Sequence, residues 1–159
     1  RYVFENVGYN VRMTDIAASL GVEQLKKLDD LNFKRVEIAK KYTEGLKPYS
    51  KLIQLPYIPE GYFHSFYGYP ILVHDHASFS RKDIITFLEK HNIETRAFMG
   101  GNLTLQPAYR ESNFAVPAEL KNTNKITNDS FFIGCHPFIT PEAVEFVIKT
   151  FESFFKKYI

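Results

Sequence analysis

This sequence suggests a polar binding site built from hydrogen-bonding side chains. These side chains lie in regions that show neither a helical nor a strand-like apolar period. They are Asn10, Arg12, His64, Arg96, Asn102, Thr104, Gln106 and Tyr109. The forked guanidinium of an arginine can clamp a phosphate or a carboxylate, and amides and hydroxyls can bind the hydroxyls of a sugar. Solvated surface loops explain the same residues about as well, and a surface ion pair with Asp15 is a second explanation for Arg12. The pattern leaves a polar binding site and ordinary loops both open.

The histidines and the single cysteine follow no spacing that indicates a metal site or a nucleophile. His74 and His76 form an HDH turn before a helix cap, where solvation is the simpler explanation, and His91 falls near a helix C-terminus. His64 differs because it lies between a proline-rich loop and a buried strand. Cys135 in IGCHP has apolar neighbours and is expected to be a small buried hydrophobe. We expect no metal ligands and assign no catalytic residue.

Composition excludes several classes of protein. The chain has 159 residues, 45% of them hydrophobic, which suits one folded domain. A net charge of +2 without a basic stripe argues against nucleic-acid binding, and no apolar run approaches the roughly 20 residues that cross a bilayer. One cysteine favours a reducing, cytoplasmic location. Because the sequence starts in mid-pattern at Arg1, we expect it to be a piece of a longer polypeptide.

Apolar periodicity predicts a long helical lead. Its first helix is marked by apolar residues at helical spacing, capped by Thr14 or Asp15: Ile16, Leu20, Leu25, Leu28 and Leu31. A second helix is predicted through VEIAKKYTEGLKPY until Pro48, with a slight break near Asp29 and Asp30. From residue 52 to 62 the prolines are expected to prevent strand pairing.

The remainder predicts strands alternating with helices. SFYGYPILV, residues 94–98 and FFIGCHP are the expected strands. Ser80 and Asp83 resemble a capping box before the helix DIITFLEKHN, PAELKNTNKITNDS reads as a polar helix with caps, and Thr140 with Pro141 begins the last helix. The fold class is therefore α/β or α+β, with helices packed on a small sheet.

Several stretches together resemble the DegT/StrS family of pyridoxal-phosphate-dependent nucleotide-sugar aminotransferases and dehydratases. They are GYNVRMTDIAASLGVEQLKKLD, HSFYGYPILV, SRKDIITFLEKHNIETR, LQPAY and FFIGCHPFIT. The resemblance implies a fold-type I enzyme, with residues 1–28 as the end of the large cofactor domain and its connecting helix, and 29–159 as the C-terminal small domain. It also implies a homodimer with shared active sites.

The resemblance assigns roles to the polar residues. Asn10 of the GYN motif is expected to reach the cofactor phosphate of the neighbouring subunit, and Arg12 and His64 to face the nucleotide-sugar. ETRAFMGGNLTLQPAY is similar to the loop that approaches the sugar in the dehydratase branch. Arg96, Asn102, Thr104 and Gln106 are therefore expected to bind substrate, and the glycines let the backbone come close.

Within the family, the resemblance is nearest to CDP-4-keto-6-deoxyhexulose 3-dehydratases, which serve surface-polysaccharide biosynthesis. In these enzymes the cofactor, as pyridoxamine phosphate, acts as an electron sink while a 3-hydroxyl leaves. The residue that serves as base lies upstream of Arg1, so a sugar aminotransferase remains a close alternative, and a noncatalytic dimerisation or binding domain remains a third. An iron-sulfur cluster stays open, since Cys135 alone cannot hold one. The isolated chain is expected to bind cofactor weakly and to be inactive.

Overall fold

The computed structural model describes residues 8–9, 11–109, 115–116 and 118–159. In the described part of the chain, a long first helix is followed by four strands and three further helices, with short 3-10 turns at Lys47–Tyr49, Leu103–Leu105 and Pro107–Tyr109. The elements are α1 Asp15–Leu46, β1 Ile53–Gln54, β2 Gly68–Val73, α2 Arg81–Lys90, β3 Thr95–Arg96, α3 Lys121–Asp129, β4 Ser130–Gly134 and α4 Pro141–Phe155. No helix among the described residues is both long and apolar enough to span a membrane.

The four strands form one antiparallel sheet in the order β1-β2-β4-β3. Antiparallel pairing makes the fold α+β, within the predicted class. The expectation that the prolines prevent any pairing between residues 52 and 62 was wrong. Ile53 and Gln54 precede Pro56 and pair with Val73 and Leu72, so the short strand ends before proline removes a donor.

The core lies between one face of the sheet and helices α1, α2 and α4. Tyr69, Ile71 and Val73 alternate along β2 and are buried on this face. They join a single apolar cluster with residues such as Leu46 of α1 and Phe151 of α4. Helix α3 contacts β2 and β4 and has no buried residue of its own. The sheet therefore presents a less covered outer face beside α3.

Local capping chemistry sets the starts of two helices as predicted. Ser80 and Asp83 form the reciprocal capping box of α2, in which the Asp83 carboxylate accepts from the Ser80 backbone N–H at 2.8 Å. Thr140 caps α4, and Pro141 occupies its first position. The capped start predicted for the polar helix was wrong, because α3 follows Leu120, which supplies no side-chain cap.

Helix α1 is continuous over 32 residues, so the predicted break near Asp29 and Asp30 was wrong. No proline or glycine lies between positions 22 and 44, and Asp30 pairs with Lys34 one turn later at 2.7 Å. Its C-terminal part packs in the core, whereas the apolar stripe of its first half faces outward, with Ile16 80% exposed. The domain division predicted at residue 28 falls inside this helix and stays a prediction.

Candidate functional site

Arg12 lies just before α1, whose N-cap is Thr14. Its side chain is exposed, and it forms no ion pair with Asp15 or with any other residue that the structure describes. The ion-pair explanation for this arginine is therefore not what the structure shows. No residue among those described occupies its guanidinium. Asn10, the predicted cofactor ligand, lies outside the described residues.

His64 stands in a tight turn that leads into β2. Its Nδ1 accepts a hydrogen bond from the Phe66 backbone N–H at 2.9 Å, and the two rings lie 4.5 Å apart. Phe66 is buried and has a φ of 50°, a left-handed conformation that a bulky residue adopts only under constraint. Because Nδ1 accepts, the neutral ring carries its proton on Nε2. The exposed edge of His64 is thus a hydrogen-bond donor.

Arg35 fixes this turn and was missed by the sequence analysis. Its Nη1 donates to the backbone carbonyls of Phe66 at 3.3 Å, Tyr67 at 3.4 Å and Cys135 at 3.0 Å. The sequence does contain a signal for this role. Arg35 precedes Ile38 by one helical turn and therefore lies on the side of α1 that reaches the core. Arg35 therefore ties α1 to the start of β2 and to the end of β4.

Asn102 is turned inward. Its side chain is only 4% exposed; the amide nitrogen donates to Asn124 Oδ1 of α3 at 2.7 Å. Its oxygen accepts from both the backbone N–H and the hydroxyl of Thr104, at 3.0 and 2.8 Å. Gln106 closes the loop from the other side, donating from Nε2 to the Gly100 carbonyl at 2.7 Å. Direct sugar binding by Asn102 stays a prediction, although this arrangement commits its amide to the protein.

The outer surface of the same loop is apolar. Met99 is 82% exposed, and Leu103 and Leu105 also project outward. Sequence reasoning expected neutral polar groups on this surface. The polar groups satisfy one another instead, which leaves the oxygen of the Gln106 amide and the lone pairs of the Thr104 hydroxyl for a ligand.

Arg96 is exposed at the end of β3 and is already paired. Its Nε and Nη2 both donate to Glu94 Oε1, at 2.9 and 2.7 Å. An anion bound here has to displace that carboxylate. Arg96 nevertheless lines a cavity of about 460 Å³ together with Tyr67, Cys135 and His136.

The predicted site residues do not share one pocket. The cavity of about 460 Å³ includes Arg96; a cavity of about 410 Å³ lies on the outer face of the sheet near Phe98, and one of about 270 Å³ lies beside α1. None of the three is lined by Arg12, His64, Asn102, Thr104 or Gln106. Arg12 and His64 instead lie on separate exposed segments, whereas Asn102, Thr104 and Gln106 share one loop in which Asn102 is buried.

The three cavities and the described side chains lack two common features of cofactor and metal sites. No lysine lines any of the three cavities, so none offers the amine that forms a Schiff base. Among the residues described there is no group of three histidine, cysteine or acidic side chains that could hold a metal. His74 and His76 bind the backbone carbonyls of Ser50 and Lys51, at 3.2 and 2.6 Å. The HDH turn therefore stabilises the loop that precedes β1 through these two hydrogen bonds.

Cys135 is buried, as predicted. Its thiol donates to the Arg35 carbonyl at 3.2 Å, and burial raises its pKa to about 11. A thiol that stays protonated at neutral pH is a poor nucleophile. This residue is part of the core.

Comparison with known proteins shows what this chain is similar to. It is 32% identical over 155 residues to the lipopolysaccharide biosynthesis protein RfbH of Salmonella typhimurium, covering 98% of the chain and 36% of that protein. It is also 32% identical over 157 residues to a dTDP-4-dehydro-2,6-dideoxy-D-glucose 3-dehydratase of Saccharopolyspora spinosa, covering 99% of the chain and 34% of the relative. The chain thus spans about a third of the length of these relatives.

Solved structures share the fold. An Escherichia coli GDP-4-keto-6-deoxy-D-mannose-3-dehydratase with bound hydrated PLP superposes with a TM-score of 0.80 at 22% identity, over 94% of this chain and 38% of that one. The fold is therefore that of part of a fold-type I enzyme, as predicted. The sequence profile of the DegT/DnrJ/EryC1/StrS aminotransferase family matches residues 1–152. This chain belongs to the DegT/DnrJ/EryC1/StrS aminotransferase family.

Proposed function

We propose that this chain is the C-terminal part of a nucleotide-sugar 3-dehydratase that uses pyridoxal or pyridoxamine phosphate in deoxysugar and surface-polysaccharide biosynthesis. The observation that carries the proposal is the 32% identity to a 3-dehydratase over 99% of the chain. The similarity to a lipopolysaccharide biosynthesis protein over 98% of the chain supports the same biosynthetic setting. The proposed enzyme is a cytoplasmic homodimer whose active sites draw residues from both subunits.

Two exposed groups suit the phosphates of a nucleotide-sugar. Arg12 has a guanidinium without an ion-pair partner among the described residues, and His64 presents its Nε2–H outward. A diphosphate accepts several hydrogen bonds, and charged donors bind it most strongly. We assign both residues to substrate binding across the dimer, with Asn10 assigned to the cofactor phosphate.

The loop of residues 97–109 is assigned to the sugar. Thr104 and Gln106 retain unused acceptor capacity, and Arg96 can release Glu94 to bind an anionic group. Weak surface ion pairs cost little to exchange, roughly 0–1 kcal/mol. This chain's residues would then bind and orient the substrate, while the cofactor, when bound to the rest of the enzyme, supplies an electron sink.

An aminotransferase of the same family is the second candidate. The family description itself names aminotransferases, and the base that separates the two reactions is expected, from the family resemblance, upstream of Arg1. A histidine at the position of the Schiff-base lysine indicates dehydration, and a lysine indicates amine transfer. Reading that position in the gene decides between them.

Kinetics of the full-length enzyme test the assigned residues. With a nucleoside-diphosphate 4-keto-6-deoxyhexose as substrate, Arg12→Ala and His64→Ala should each raise KM roughly tenfold, because a charged or oriented hydrogen bond to phosphate is lost. Lys27→Ala and His76→Ala are matched controls on exposed positions and should leave KM unchanged. Unchanged KM in both site variants removes these residues from the site. Binding without any cofactor or turnover would favour a noncatalytic domain.

A further inference from the structure

The segment from Met99 to Gln106 is anchored to α3 at two adjacent points. The Asn102 backbone N–H donates to Thr127 Oγ1 at 2.9 Å, and the Asn102 amide donates to Asn124 Oδ1 at 2.7 Å. The Thr127 hydroxyl donates its proton to the Thr123 carbonyl at 2.7 Å. Its oxygen lone pairs are therefore oriented to accept the hydrogen bond from the Asn102 N–H. Both hydrogen-bond partners belong to α3 and follow Asn102 by more than 20 positions in the sequence.

Backbone geometry at Gly101 lets the segment approach α3 this closely. Gly101 has a φ of 61°, which side-chain-bearing residues rarely adopt, and a Cβ there would lie 2.6 Å from Thr127 Cγ2. Its N–H also donates to the Phe98 carbonyl at 2.8 Å, closing a turn. The glycine is therefore a requirement of the contact with Thr127.

Inside the anchored segment the hydrogen bonds converge on Asn102. Its oxygen receives both the N–H and the hydroxyl of Thr104, which starts the 3-10 turn Leu103–Leu105. Gln106 then donates back to the Gly100 carbonyl. The buried Asn102 amide thus orients Thr104 directly, and Gln106 closes the same anchored segment on Gly100.

We propose that Asn102 is a positioning residue, which, with Asn124 and Thr127, holds the 99–106 segment on α3 in the conformation that presents Thr104 and Gln106 to the nucleotide-sugar. The proposal rests on the proposed function for the identity of that ligand. When the anchor is lost, only a minor fraction of the molecules has the conformation that can bind the ligand. The apparent affinity for the nucleotide-sugar falls in proportion to that fraction. The bound state still has an ordered loop, so the turnover number is preserved.

Variants on α3 separate positioning from direct contact, since α3 residues need not touch the ligand. In full-length, ligand-free protein, Asn102→Ala, Asn124→Ala and Thr127→Ala should each accelerate amide hydrogen exchange at 100–106 by about tenfold or more. Asn124→Asp keeps an acceptor for the Asn102 amide and should restore slow exchange. Asn122→Ala and Asn128→Ala are matched controls on exposed positions of the same helix and should leave exchange unchanged.

Kinetics supply the second measurement. The same three alanine variants should raise KM for the nucleoside-diphosphate sugar by about fivefold, with kcat within about twofold, whereas partial unfolding would lower kcat alone. The double variant Asn102→Ala/Asn124→Ala should be no worse than Asn102→Ala alone, because that single variant already lacks the hydrogen bond to Asn124.

Four outcomes overturn the proposal. Exchange that does not respond to Asn124→Ala shows that no anchor operates, and faster exchange with unchanged KM shows that the anchor does not serve binding. A KM effect of Asn102→Ala that α3 variants do not share assigns Asn102 to direct contact instead. If the unmodified protein acts on no nucleotide-sugar, the proposed function fails; the positioning role fails with it, whatever the exchange data show about the anchor.

Discussion

Arg35 and Cys135 form two hydrogen bonds with each other. The guanidinium of Arg35 donates to the Cys135 carbonyl at 3.0 Å, and the thiol of Cys135 donates to the Arg35 carbonyl at 3.2 Å. The pair joins the middle of α1 to the residue that follows β4, and Arg35 extends the link to Phe66 beside His64. The geometry of the proposed substrate-binding turn thus depends on a contact between distant parts of the chain.

Arg35→Ala should lower the free energy of unfolding by about 2–4 kcal/mol, because partly buried carbonyls lose a charged donor. Arg96→Ala is the matched control and should change it by less than about 0.5 kcal/mol, since its ion pair with Glu94 is exposed. Urea unfolding of both variants measures the difference. Equal effects would contradict the structural role of Arg35.

The thiol of Cys135 should resist alkylation by iodoacetamide at pH 8 until the protein unfolds. Burial raises its pKa to about 11, so little thiolate forms, and the side chain is 1% exposed. Mass spectrometry of the alkylated chain, with and without urea, measures the protection. Rapid labelling of the folded chain would show that Cys135 is accessible.

Alkaline pH should destabilise the fold. The folded-state pKa of Cys135 is about 11 against its usual 9.0, and that of buried Tyr69 is about 12 against 10.0, with the pKa of Tyr42 raised in the same direction. Since the folded-state pKa values lie above the unfolded ones, their stabilisation is complete below pH 9 and is lost as pH rises through 9–12. Cys135→Ala should delay the onset of this loss toward pH 10. Unfolding free energies that stay flat over this range would contradict the burial of these groups.

Gly101→Ala should destabilise the chain by about 1–3 kcal/mol, because the left-handed backbone is strained with a side chain and the new Cβ meets Thr127. Gly134→Ala is the control, since a Cβ there meets nothing within 4 Å. Thermal unfolding of both variants tests the difference. A neutral Gly101→Ala would show that the loop does not require this close approach to α3.

The first half of α1 should make the 159-residue chain self-associate. Its apolar stripe is exposed, with Leu20 at 66% and Leu25 at 68%. The double variant Leu20→Gln/Leu25→Gln should shift the chain toward monomer in sedimentation velocity without lowering its unfolding free energy. Leu46→Gln, at a buried position of the same helix, should instead unfold the chain. An unchanged distribution of sedimentation coefficients in the double variant would show that this stripe does not drive self-association.

Features set by neighbouring residues were predictable from the sequence. The capping box of Ser80 and Asp83 and the start of α4 at Thr140 and Pro141 follow from local chemistry. The strand through GYPILV follows from its apolar run before the polar turn HDHAS, and the structure buries alternate residues of the strand. The family resemblance supplied the fold, which the comparisons confirm.

Features set by distant residues were not predictable. The inward turn of Asn102 depends on Asn124, 22 positions away, and the role of Arg35 depends on Cys135, 100 positions away. The strand at Ile53 forms only because β2 offers a partner. The apolar spacing of α1 indicated a buried stripe but could not say what covers it, and its first half is exposed.

The most direct test follows the oxygen at the sugar's third carbon. A nucleoside-diphosphate 4-keto-6-deoxyhexose carrying a heavy-oxygen label in its 3-hydroxyl is incubated with the full-length enzyme loaded with pyridoxamine phosphate. We predict that the carbon–oxygen bond breaks and that the label appears in water, as detected by mass spectrometry. Retention of the label, with an amino group gained in place of the 4-keto oxygen, would contradict the dehydratase assignment.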